Sequence, residues 1–167
     1  IYCDNYLEGL HIPFVHPALS RSLQMSRYEV ELFDWGSLQI AEARRGEPAF
    51  TPPPGHPDEG KRVGAWYFWL FPTTMVNVYP WGISVNRVEP VAPERMAVHF
   101  DAWCWEPTAQ PSGAGANLDV VESEDAEVVL RVARGVKAQR AIRGRYAPEA
   151  ERAVHHFHRL LQRQLSA

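Results

Sequence analysis

The chain has 167 residues, enough for one domain with a real core, and its 46% apolar content is that of a folded globular protein. A net charge of −3 leaves no basic footprint, so nucleic acid is excluded as a first choice of partner. Cys3 and Cys104 are the only cysteines; a disulfide framework and a cysteine-ligated cluster are therefore excluded, and no apolar run approaches the ~20 residues that cross a bilayer. No signal peptide is visible, so a cytoplasmic setting without membrane contact is expected. The first residue is Ile1 rather than Met, which looks like a piece of a longer protein or a trimmed one.

Residues 4–22 are predicted as helix, a break at Pro13, then helix or loop. Within them Glu8, His11 and His16 form an E-x2-H-x4-H pattern. Two neutral imidazoles and one carboxylate make the facial triad of non-haem Fe(II) oxygenases, which leaves coordination positions open. On one continuous helix residues five apart diverge by roughly 140°, too far to share an ion. Pro13 is expected to supply the break between the two histidines. Glu8 and His11, three apart, are expected on one helical face.

Residues 27–35 alternate as a half-buried strand, with 37–43 as its hairpin partner across a turn at Trp35-Gly36. The stretch 46–61 carries five prolines and is a loop. Further strands are predicted over 64–71, 75–79, 82–89 and 95–105, close enough in sequence for an antiparallel meander. Residues 106–116 form a second loop. Asn117 is expected to cap a helix running to about Gln139, with an interruption near Gly135. Pro148 is expected to start a last helix whose apolar stripe is Val154, Phe157, Leu161 and Leu165. The fold class is α+β: a curved antiparallel sheet with helices packed on it, in a single domain over 1–167.

The helix after Asn117 supplies a candidate third ligand. At 100° per residue, Val121, Val128, Val132 and Val136 share one side, and Asp125 falls in the middle of that stripe. A carboxylate facing a core is costly unless paired or metal-bound. Asp125 is the expected ligand and Glu124, at the edge of the stripe, the alternative.

The segment 4–17, Asp-Asn-Tyr-Leu-Glu-Gly-Leu-His-Ile-Pro-Phe-Val-His-Pro, resembles the iron-binding segment of Rieske non-haem iron oxygenase α-subunits, in the branch that includes choline and carnitine monooxygenases. Residues 71–82, Glu124-Asp125 with Arg134-Gly135, and 144–161 are similar too. The resemblance implies a helix-grip (START-like, Bet v1-like) catalytic domain with iron ligands His11, His16 and Asp125. It implies that Glu8 bridges the iron site to a Rieske cluster on a neighbouring subunit of a homotrimer. A Rieske [2Fe–2S] centre takes two Cys and two His, and no such motif is present here. The electron-entry domain is therefore expected outside this chain, served by a reductase or ferredoxin. The implied function is O2-dependent hydroxylation of a small aromatic or quaternary-ammonium-like substrate; a helix-grip ligand-binding module without redox turnover is the alternative.

Six tryptophans are many for this length, and most fall in the strand region. Trp69, Phe71, Asn77 and Trp103 are the substrate-side candidates, in an aromatic box or slot. His155, His156 and His158 are expected to serve packing or subunit contact rather than metal, and His56 and His99 to have no site role.

Overall fold

The computed structural model describes residues 1–108, 112–138 and 144–166. Six antiparallel strands lie in sequence order, as the predicted meander requires: β1 (Glu29–Phe33), β2 (Gly36–Glu42), β3 (Val63–Leu70), β4 (Thr74–Tyr79), β5 (Gly82–Ala92) and β6 (Arg95–Cys104). The first hairpin turns at Asp34-Trp35, one residue earlier than expected, because Phe33 pairs with Gly36. Gly36 must lack a side chain, since a Cβ there would stand 2.4 Å from the Trp69 carbonyl oxygen.

Alternation decides what covers each face of the sheet. Ala65, Tyr67 and Trp69 of β3 point toward the helices, while Trp66 and Phe68 point away. The register slips between Ala41 and Glu42, which puts Val63 on the outer face with Leu38 and Ile40. Phe50 from the proline-rich loop lies against Trp66 there, ring centres 4.7 Å apart. Asp58 pins that loop: it accepts from the Trp66 indole at 2.8 Å and from Lys61 Nζ at 2.9 Å. β2 is consequently buried along its whole length.

Two long helices, α4 (Leu118–Lys137) and α5 (Arg152–Leu165), follow the strands, and three short ones precede them: α1 (Tyr2–Tyr6), α2 (Ile12–Val15) and α3 (Pro17–Ser22). The inner core joins Tyr2 and Cys3 of α1, Val129 of α4 and Val154, Phe157 and Leu160 of α5 to Trp69, Met75 and Val88 of the sheet. This is the α+β arrangement expected from the pattern, in the helix-grip form that the resemblance implies.

Several boundaries differ from the prediction for local reasons. Asn117 makes no side-chain cap; it sits at φ 54°, the left-handed region that Asn tolerates, and turns the chain into α4. α4 runs through Gly135 without interruption, and its expected end near Gln139 lies outside the described residues. α5 starts at Arg152 rather than at Pro148, after a turn. Its stripe rotates: Leu160 is buried where Leu161 is only partly so, and Leu165 is 84% exposed. No helix is long and apolar enough to cross a membrane among the described residues.

Burial alone would raise the Asp58 carboxyl, but the hydrogen bonds from Lys61 and Trp66 outweigh it and hold it below the ordinary carboxylate range. A depressed carboxyl stabilises the fold above the unfolded value of about 3.9 and loses that contribution as pH falls through the folded value. Asp58→Ala is therefore expected to cost about 1–3 kcal/mol at pH 7 in denaturant unfolding, with the gap from wild type closing below about pH 4.

Candidate metal centre

The two histidines bracket a single helical turn. His11 is the N-cap of α2, and His16 is both its C-cap and the N-cap of α3. Pro13 therefore does not break the chain between them; it sits in the first turn of α2, where its missing N–H costs nothing. The breaks lie on either side, at 7–11 and at His16. Because His16 leaves the helix, the rings converge, with centroids 5.1 Å apart and planes at 80°.

Asp125 completes the group. His16 Nε2 lies 2.9 Å and His11 Nε2 3.7 Å from Asp125 Oδ1. One donor atom from each of the three residues lies within 4.8 Å of the others. At metal–nitrogen distances of about 2.1 Å, cis ligands on one ion stand about 3 Å apart, so this donor set fits a single divalent ion. Two imidazoles and one carboxylate suit ferrous iron in particular.

The far nitrogens are held as well. His11 Nδ1 lies 2.6 Å from Glu8 Oε1, and His16 Nδ1 lies 2.7 Å from Glu124 Oε2. A carboxylate can only accept, so each Nδ1 carries the proton and each Nε2 is left to face the ion. Glu8 reaches His11 through a tight turn rather than along a helical face: its Oε2 accepts from the amides of Leu10 and His11. Glu124, the alternative third ligand, stands behind His16 instead. Asn5 donates to Asp125 Oδ1 at 2.6 Å. Burial works against a charged His16, but hydrogen bonds to Asp125 and Glu124 outweigh it and raise its pKa.

The stripe that singled out Asp125 is real only in its first half. Val121 and Val128 flank it half-buried, while Val132 and Val136 are exposed and Val129 is the buried valine of α4. Beyond Val129 the stripe lines an open groove, which Val132 and Val136 share with Arg145 and Tyr146.

Beside the three residues lies a cavity of about 70 Å3. Its floor is a row of directly paired polar residues on β2, β3 and β4, Gln39 opposite Tyr67 and Tyr67 opposite Asn77, with Ser84 of β5 behind Asn77 as its partner. Tyr6 donates to Asn77 Oδ1 at 2.7 Å, and Asn77 Nδ2 donates to Ser84 Oγ at 2.9 Å. Tyr2, Tyr28 and Tyr79 also face the cavity. Ala114 lines one side, and the next residue, Gly115, packs against the stacked Tyr79–Trp81 pair, where a Cβ would meet the Trp81 indole nitrogen at 2.3 Å.

Of the four substrate-side candidates only Asn77 lines this cavity. Trp69 is wholly buried against Phe157, ring centres 5.2 Å apart, because it lies one step further along β3, under α5. Phe71 follows the end of β3 and packs on Trp35 and Trp69. Trp103 is 56% exposed on the edge strand β6. The aromatic lining is tyrosine, not tryptophan. One signal in the sequence marks the cavity floor: single polar residues inside aliphatic strands, as in Leu38-Gln39-Ile40 and Val76-Asn77-Val78. Of the other histidines, His158 Nε2 contacts Asp4 Oδ1 at 2.6 Å, and His99 pairs with Glu89 on the surface.

A family model described as "Ring hydroxylating alpha subunit (catalytic domain)" matches residues 1–167. The chain belongs to that family. Its relatives within the ring-hydroxylating family include the chloroplastic choline monooxygenase of Arabidopsis thaliana, 32% identical over 99% of this chain and 39% of that protein. The carnitine monooxygenase oxygenase subunit of Escherichia coli (strain K12) is 32% identical over 95% of this chain and 44% of that protein. A solved quaternary ammonium Rieske monooxygenase superposes with a TM-score of 0.71 at 24% identity, covering 97% of this chain and 46% of that one. The chain thus spans about two-fifths of the length of the curated relatives it matches.

Glu122 also lines the cavity, accepting from the Tyr2 hydroxyl at 2.8 Å and from Asn86 Nδ2 at 3.0 Å. Burial, joined by the charge of Asp125, overrides those hydrogen bonds and pushes its carboxyl up to about 7. A raised carboxyl contributes stability below the unfolded value of about 4.3 and loses it as pH rises through the folded one. In the metal-free protein, the stability of wild type relative to Glu122→Gln is expected to fall between about pH 4.3 and pH 7. Chemical unfolding across that range checks it, and a flat difference refutes the burial assigned to Glu122.

Proposed function

We propose that this chain is the iron-holding catalytic part of a Rieske-type oxygenase that hydroxylates a small quaternary-ammonium-like or aromatic substrate with O2. The observation that carries the reading is the convergence of two imidazole Nε2 atoms on one oxygen of Asp125, beside a cavity, in a ring-hydroxylating family member. The names of the choline and carnitine relatives favour the quaternary ammonium class.

His11, His16 and Asp125 would hold Fe(II), which when bound supplies the activation of O2 that side chains cannot perform. The chain's own residues do the rest. Glu8 and Glu124 keep the Nδ1 protons in place and so keep the lone pairs of both rings on the ion. Asn5 orients Asp125 by donating to it. The tyrosines and the polar row position the substrate and exclude bulk water.

Electrons would enter through Glu8. It borders both the cavity and an open groove of about 610 Å3 that it shares with Asp4, Arg145, Tyr146 and His158. A Rieske [2Fe–2S] domain seated on that groove from a neighbouring subunit of a homotrimer would be one carboxylate and one imidazole away from the ion. The Rieske centre in turn needs a reductase or ferredoxin.

The reading is tested by metal content after anaerobic Fe(II) loading and desalting. Wild type is expected to retain near one iron per chain. His16→Ala and Asp125→Ala are expected to retain under about a tenth of that, and Glu124→Gln to bind about 10–100-fold more weakly than wild type. Equal iron in wild type and His16→Ala would end the proposal.

A further inference from the structure

The iron-side cavity has a second neighbour besides the groove near Glu8. A separate groove of about 300 Å3 opens beside β5 and β6, and the two share Asn86, Leu118 and Glu122 as their common wall. Asp101 and Asp119 line the outer groove with Glu122. Neither lining contains a Lys or Arg among the described residues.

Glu122 is held by neutral donors alone, the Tyr2 hydroxyl and the Asn86 amide. No ion pair reaches it among the described residues, and His16, which lines the same cavity, has both ring nitrogens taken by Glu124 and Asp125. A carboxylate largely withdrawn from water and left without a counter-charge is costly. The same wall carries an unused acceptor: Asn86 is 4% exposed and its Oδ1 has no partner among the described residues. Gln39 Oε1 and the Tyr67 hydroxyl are in the same state on the cavity floor. Unused polar atoms round an uncompensated carboxylate describe a site that waits for a ligand.

Resting on the functional reading above, we infer that Glu122 is the counter-charge that selects a small organic cation, and that Asp101 and Asp119 line the way in. A neutral aromatic substrate would leave the Glu122 charge uncompensated and gain nothing from it. A quaternary ammonium head compensates it, a hydroxyl carried by the same cation can donate to an unused acceptor, and the tyrosine rings of the cavity offer the head their π faces. Carboxylates along a groove raise the local concentration of cations and speed their arrival, an effect that salt suppresses.

The test is binding to the intact iron-free chain at pH 8, using choline and its neutral isostere 3,3-dimethylbutan-1-ol. Wild type is expected to bind choline at least about tenfold more tightly than the alcohol. Glu122→Gln is expected to lose about tenfold in choline affinity while binding the alcohol unchanged. The exposed double change Asp101→Asn with Asp119→Asn is expected to slow choline association and flatten its salt dependence without altering dissociation. Equal binding of choline and the alcohol by wild type overturns the inference, as does undiminished choline binding by folded Glu122→Gln. If Glu122→Gln does not fold, the wild-type comparison and the double variant decide. Iron content is measured separately, so loss of cation preference refutes this inference alone, and failure to hold iron refutes the oxygenase reading alone.

Discussion

The site depends on a buried histidine with a carboxylate on each side. His16 is 1% exposed, with Glu124 on Nδ1 and Asp125 on Nε2. An imidazole buried among aliphatic side chains would stay neutral and free to choose its tautomer. Between two carboxylates it has no choice, because both partners only accept. The ring is oriented without an ion, and a bound ion would take the place of one proton. His11 repeats the device with Glu8 on Nδ1, at a more open position. The elements around the site serve to hold these three carboxylate–imidazole pairs in register.

Three parts of the chain, far apart in sequence, are brought together for this. α1 and α2 deliver Asn5, Glu8 and both histidines, and α4 delivers Glu122, Glu124 and Asp125. The sheet delivers the polar row that forms the cavity floor. α1 packs under α4 through Tyr2 and Cys3, which share a core with Val129 and with Phe157 of α5. Packing on α5 therefore fixes the distance between the N-terminal segment and Asp125. The acidic row of α4 splits by helical angle: Asp125 faces both Nε2 atoms, Glu124 turns behind His16, and Glu122, about one turn earlier, lines the cavity.

Much of this was legible from local pattern. The meander followed from short alternating strands between turn residues, and the triad from E-x2-H-x4-H joined to an acidic residue on an apolar stripe. What the pattern missed depended on tertiary geometry. Pro13 was predicted to separate the histidines, yet proline is welcome in a first helical turn, and the separation comes from His16 leaving the helix. The tryptophans were weighed by their number and their place in the strand region. Which face of β3 each residue takes is decided by its pairing with β2, which no composition reveals, and the pairing of Trp66 with Ile40 puts it on the outer face. Trp69 does face inward, but α5 covers it. Glu124 and Asp125 are adjacent and chemically alike, so only the position of His16 separates their roles.

The central claim is that Glu8 and Glu124 hold the Nδ1 protons so that both Nε2 atoms bind one ion. Long-range 1H–15N correlation spectra of the imidazoles, recorded before and after loading the protein with diamagnetic Zn(II), test it most directly. The account predicts that both His11 and His16 show a protonated Nδ1 and a metal-bound Nε2 after loading, with His155, His156 and His158 unchanged. A metal-bound Nδ1 on either ring, or no change at His16 on loading, would contradict it.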